Sequence, residues 1–95
     1  MPNITSKQDL IVYFEEKSQR STSEGDIYVQ TVNEILMLLR ENDAITGLKS
    51  QVRRLHREKL MEIQRTESPE IRAEQRKQLA VYDDFLTQAR SIPVQ

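Results

Sequence analysis

The chain has 95 residues and a formal net charge of −1, enough for one small domain and no general attraction to nucleic acid or membrane. Hydrophobic residues make up 37% and charged residues 31%, a thinner core and a more charged surface than an average globular domain has. Two glycines, three prolines and no cysteine exclude a sandwich of many short strands, a disulfide framework and a thiolate metal site, and no apolar run approaches the roughly 18 residues that cross a bilayer.

In chain order, the first predicted helix spans about 5–17. Thr5 or Ser6 is its cap, with Gln8 or Asp9 in the third position of a capping box, and Leu10, Ile11, Tyr13 and Phe14 are its apolar face. Residues 18–25 read as a loop, Ser-Gln-Arg-Ser-Thr-Ser-Glu-Gly. Helical periodicity then runs from about 26 to 65. Asn42-Asp43 and Gly47 weaken its middle, and Asp43 could cap a new helix. Because one interior glycine costs only about 1 kcal/mol, the expectation is a single long helix, bent near 42–47. Ser68-Pro69-Glu70 supplies an N-cap, a first-turn proline and an acid at the positive helix end, so a third helix is predicted over 69–90, closed by Ile92-Pro93.

The short connection before Pro69 predicts that the second and third helices fold back antiparallel. At about 100° per residue, Ile45, Leu48, Val52, Leu55 and Ile63 share a stripe on one. Ile71, Tyr82, Phe85, Leu86 and Ala89, flanked by Leu79 and Val81, share a stripe on the other. Folding about 66–68 sets Ile63 near Ile71, Val52 near Tyr82, Leu48 near Phe85 and Ile45 near Ala89. The expected fold is therefore all-α: residues 1–95 form a single small domain, a short N-terminal helix followed by a long, coiled-coil-like antiparallel hairpin, dimerising into a helical bundle. His56, Lys59, Gln75 and Gln78 fall inside the stripes at one level, as a half-solvated polar layer with Lys59 snorkelling near Glu74.

Catalytic chemistry lacks its parts. The sole histidine, His56, has no cysteine partner and no Glu-x-x-His spacing, there is no phosphate-cradling glycine loop, and a thin hairpin does not enclose a pocket. The expectation is a protein without enzymatic activity, metal or organic cofactor. The N-terminal residues lack the basic start and apolar stretch of a secretory signal, which makes the expected location cytoplasmic. Asn3-Ile4-Thr5 then matches the glycosylation pattern by chance.

Two surfaces stand out. Residues 49–59 carry five basic residues against one acid. Lys49, Arg53 and Arg57 climb one side with Arg54 further round, a charged secondary surface able to meet a few phosphates. Ile35, Leu36, Met37, Leu38 and Leu39 are five consecutive apolar residues, more than one full turn, so they circle their helix completely. Tyr28 and Val32 extend the girdle. The first helix would cover one side only, so these seven residues are the expected partner or dimer interface. The leading expectation is a protein–protein interaction module, an adaptor, chaperone-like or regulatory small subunit acting as a homodimer or in a complex. The alternatives are a nucleic-acid-associated protein using the basic band, and a scaffolding protein of a larger assembly.

Overall fold

The computed structural model describes residues 4–20, 23, 25–42, 44–90 and 92. Asp43, the alternative cap, Pro93, the expected stop, and Asn3 of the glycosylation pattern lie outside them, as do positions 21, 22 and 24 of the expected loop. The described residues form four α-helices and no strand.

Helix α1, Lys7–Arg20, starts where its local chemistry dictates. Ser6 Oγ accepts from the Asp9 amide at 3.2 Å, and the Asp9 carboxylate accepts from the Thr5 amide at 3.2 Å, a reciprocal cap. Hydrogen bonding to its carboxylate, from the Thr5 amide first and the Ser6 hydroxyl second, lowers the Asp9 pKa. The helix continues three residues beyond the expected end, to Arg20. Helix α2, Asp26–Glu41, follows Gly25, whose φ of +102° requires glycine.

The expected continuous helix over 26–65 is instead two helices, α2 and α3, the latter Ile45–Arg65. Asn42 and Ala44 are extended, with φ/ψ of −102°/127° and −104°/122°. Both the amide and the side-chain nitrogen of Asn42 donate to the Leu38 carbonyl, at 3.1 and 2.8 Å. That capping satisfies a carbonyl the helix end would leave unpaired. Lys7 reaches across from α1 to donate to the Asn42 carbonyl. Gly47 has no part in the break. It lies inside α3 with open space where a side chain would stand.

Helix α4, Pro69–Ala89, begins at the expected residue, with Ser68 Oγ accepting from the Ile71 amide at 3.4 Å. Helices α3 and α4 share the most extensive contact, α1 packs on α2, and α2 packs on α4 as well as on α1. The second of these α2 contacts is what the break allows. Once the chain turns at 42–44, α2 lies back over α4 instead of projecting beyond it.

The core takes residues from all four helices: Leu10 and Phe14, then Val32, Ile35, Leu36 and Leu39, then Ile45, Leu48 and Val52, then Val81, Tyr82, Phe85 and Ala89. Phe14 and Phe85 stack at its centre, 6.2 Å between ring centroids. Ile4 and Ile92, at the two ends of the chain, are buried on it. From Arg53 to Ala80 no residue is buried. The molecule therefore has a packed body and, beyond Val52 and Val81, stretches of α3 and α4 whose residues are half-buried or exposed. Its longest dimension is 40 Å and its radius of gyration 13.5 Å, against about 12 Å for a rounder domain of this length.

Candidate interaction surfaces

The apolar girdle is an internal surface. Val32, Ile35, Leu36 and Leu39 are buried within the chain, which corrects the expectation that they await an external cover. Helical spacing explains it. Leu36 and Leu39 are i+1 and i+4 to Ile35, so the three stand side by side as one continuous face, and α1 and α4 both pack on α2. Leu38 and Tyr28 are half-buried against the core. Met37, on the opposite side of the helix from that face, is 52% exposed.

The basic band is divided. Lys49 is only 9% exposed, a correction to its expected place on a charged surface, and its ammonium donates to the Ile92 carbonyl at 3.2 Å. Arg53 lines a surface cavity with Lys49, Leu86 and Arg90. Arg54 and Arg57 are exposed, outside that lining.

The polar layer is half-buried at His56, Lys59, Gln75 and Gln78. Lys59 pairs with Glu62 at 2.9 Å, in place of the expected Glu74, and His56 Nε2 lies 3.8 Å from an Asp83 carboxylate oxygen. Gln75 Oε1 is buried without a hydrogen-bond partner. Among the described residues no group of three His, Asp or Glu is placed to hold a metal ion, and no helix is long and apolar enough to cross a membrane.

The open apolar surface lies elsewhere, at the free ends of α3 and α4. Leu60 is 41%, Met61 45% and Ile71 50% exposed. Ile71, the expected neighbour of Ile63, stands in the first turn of α4, and Ile63 is half-buried. The sequence carried a signal for Leu60 and Met61, since neither belongs to the stripe that holds Ile45, Leu48, Val52, Leu55 and Ile63. A polar cluster was also missed. Lys17 pairs with Asp84 at 2.5 Å, and the Tyr13 hydroxyl donates to the same carboxylate at 2.8 Å.

No protein-family model matches the chain, and neither the curated proteins nor the solved structures include one similar to it at a significant level.

Proposed function

We propose that the chain is a non-catalytic protein–protein interaction module, an adaptor, chaperone-like or regulatory small subunit, in which α3 and α4 form an antiparallel, coiled-coil-like hairpin whose free end pairs with that of a second copy. One observation carries the reading: the stretch from Arg53 to Ala80 buries no residue, yet keeps Leu60, Met61 and Ile71 in the open. A two-helix arm has two uncovered sides, and apolar side chains on them gain by association.

Charge supports a second copy as the occupant. Near the tip, residues 59–74 hold four acids, Glu62, Glu67, Glu70 and Glu74, against three bases. Near the root stand Arg53, Arg54, Arg57, Arg76 and Lys77 against Glu58 alone. Two arms laid antiparallel about a two-fold axis set each acidic tip beside the other's basic root, notably Arg54, Arg57, Arg76 and Lys77. An isologous contact requires that kind of self-complementarity. The product is a four-helix bundle made of two arms, with association moved from the girdle to Leu60, Met61 and Ile71.

The three apolar side chains are already half exposed, so burying each contributes only about 1 kcal/mol. The expected dimer is therefore reversible, with a dissociation constant on the order of tens of micromolar. Sedimentation equilibrium of the full chain from about 5 to 500 µM tests it. Leu60→Glu and Ile71→Glu should each abolish association without loss of helicity, whereas Met37→Glu should leave it intact. A chain that stays monomeric across the range overturns the pairing. So does a dimer that Met37→Glu dissociates and Leu60→Glu does not.

A further inference from the structure

The cavity between α3 and α4 is unusual in what lines it. Its volume is about 140 Å³, and its walls are Lys49, Arg53, Leu86 and Arg90. Of these four described residues three are cations, two on α3 and one, Arg90, just past the end of α4, and among the described residues no carboxylate lines the cavity. Among the described residues neither Arg53 nor Arg90 makes an ion pair. The acids nearest in sequence on α4 are engaged elsewhere: Asp84 by Lys17 and Asp83 by His56.

Lys49 makes the site a built one. A lysine is rarely buried without a paired charge, and this one is 9% exposed with a neutral carbonyl, that of Ile92, as its partner. The carbonyl takes one of the three ammonium donors and holds the charge at a cavity that Arg53 and Arg90 also line. Like charges gathered in a concave site repel, and a bound anion relieves that repulsion while gaining charge-assisted hydrogen bonds. The volume suits several waters or one small group, too little for a nucleoside. Donors from three side chains, two on α3 and one just past the end of α4, match the several oxygens of a tetrahedral anion better than the two of a carboxylate.

We propose that this cavity is a binding site for a single tetrahedral oxyanion, a free phosphate or the phosphoryl group of a phosphomonoester, held by Lys49, Arg53 and Arg90 with Leu86 as an apolar wall. None of the apolar residues of the proposed pairing, Leu60, Met61 and Ile71, lines the cavity; Arg53 alone is common to it and to the basic root.

Isothermal titration of the full chain with inorganic phosphate, at constant ionic strength in chloride, tests the proposal. Saturable binding is expected, with a rise in the unfolding temperature. Arg53→Gln and Arg90→Gln, both at exposed positions, should each weaken it about tenfold, the value of one charge-assisted contact, with unchanged circular dichroism. Arg20→Gln, at an exposed position on α1 outside the lining, should bind as the parent does. Phenyl phosphate distinguishes the sources: binding comparable to phosphate assigns the site to a phosphomonoester, and its rejection assigns it to the free anion. No response beyond that of added chloride overturns the proposal. It is equally overturned if Arg20→Gln weakens binding as much as Arg53→Gln, or if an oligonucleotide binds with a steep salt dependence while phosphate does not, which would make these cations part of a nucleic-acid face.

Discussion

Lys17 of α1 and Asp84 of α4 form an ion pair at 2.5 Å, with both side chains largely shielded from solvent. Tyr13, one turn before Lys17, donates its hydroxyl to the same carboxylate at 2.8 Å, and the Lys17 ammonium lies 5.4 and 6.0 Å from the Tyr13 and Tyr28 ring centroids. Burial alone would lower the Lys17 pKa. Hydrogen bonding to Asp84 and Tyr28 and the charge of Asp84 outweigh it, and the ammonium titrates above the ordinary lysine value. Three helices, α1, α2 and α4, thus meet at one charged group. Since such a shielded contact is screened less than an exposed one, Asp84→Asn should cost about 2 kcal/mol in urea unfolding and Tyr13→Phe about 1 kcal/mol. Losses below about 0.5 kcal/mol in both would mean that the pair is solvated and adds nothing to the fold.

The tyrosines set the alkaline limit of stability. Burial first, then the charge and hydrogen bond of Glu34, push the Tyr82 phenol up to about 12. Burial and the Asp84 hydrogen bond also raise Tyr13. A group whose folded pKa is raised contributes stability that is fully present below its unfolded pKa, about 10 for tyrosine, and is lost as pH climbs through the folded value. Stability should therefore hold up to about pH 10 and fall steadily toward pH 12. Tyr82→Phe should flatten that fall while lowering stability at neutral pH only modestly, as it also gives up the 3.5 Å hydrogen bond to Glu34. A pH series of urea midpoints reads it, and an unchanged alkaline slope would show that Tyr82 does not carry the effect.

The two ends of α4 should respond very differently to truncation. Phe85 is fully buried and stacked on Phe14, so Phe85→Ala should cost about 3 kcal/mol or more. Ile71, half exposed near the tip, should lose less than about 1 kcal/mol on change to Ala at concentrations where the chain is monomeric. Chemical denaturation of the two variants at low micromolar concentration is the comparison. Equal losses would place the tip inside the cooperative core.

How far the sequence revealed this structure differs from segment to segment. The start of α4 was legible because its cap is local: Ser68, Pro69 and the Ile71 amide lie within four residues. The start of α1 was legible for the same reason. The break at 42–44 is not legible locally because its cause is distant. An extended pair of residues costs helical hydrogen bonds, offset here by burying Val32, Ile35, Leu36 and Leu39 against α1 and α4. Asn42, whose side chain caps the Leu38 carbonyl, was a better marker than Gly47. The girdle is apolar all round in sequence, yet three of its five residues make one face, which α1 and α4 cover. Lys49 and Arg90 share a cavity across 41 positions of sequence, and Tyr13, Lys17 and Asp84 meet across more than 60. No periodicity or motif connects residues so far apart.

Gly47 offers a direct check on the course of α3. It lies in the helix with nothing within 4 Å of the position a Cβ would take, and its backbone needs no positive φ. Gly47→Ala should therefore stabilise the protein by about 0.5–1 kcal/mol, through helix propensity and a less flexible unfolded chain. A destabilised variant would place a bend or a close neighbour at Gly47 and move the break away from Asn42 and Ala44.

Amide hydrogen exchange should divide the molecule in two and report on its pairing. Protection follows buried apolar contact. In the body, Val32–Leu39 and Val81–Ala89 line the core, and their amides should exchange only through global unfolding. Between Arg53 and Ala80 no residue is buried. Of the apolar residues there, Leu55, Ile63 and Leu79 are only half-buried, so this segment should open at lower free energy, by about 2 kcal/mol or more. Concentration supplies the second dimension. Two paired arms would cover Leu60, Met61 and Ile71, and opening one arm would then require separating the pair, so protection within 53–80 should rise from a few micromolar to several hundred while protection in the body stays nearly constant. Leu60→Glu should remove that concentration dependence and leave the contrast between arm and body in place. Uniform protection along the chain would mean that the arm folds as one unit with the body. A rise with concentration centred on Tyr28–Leu39 would return association to the girdle.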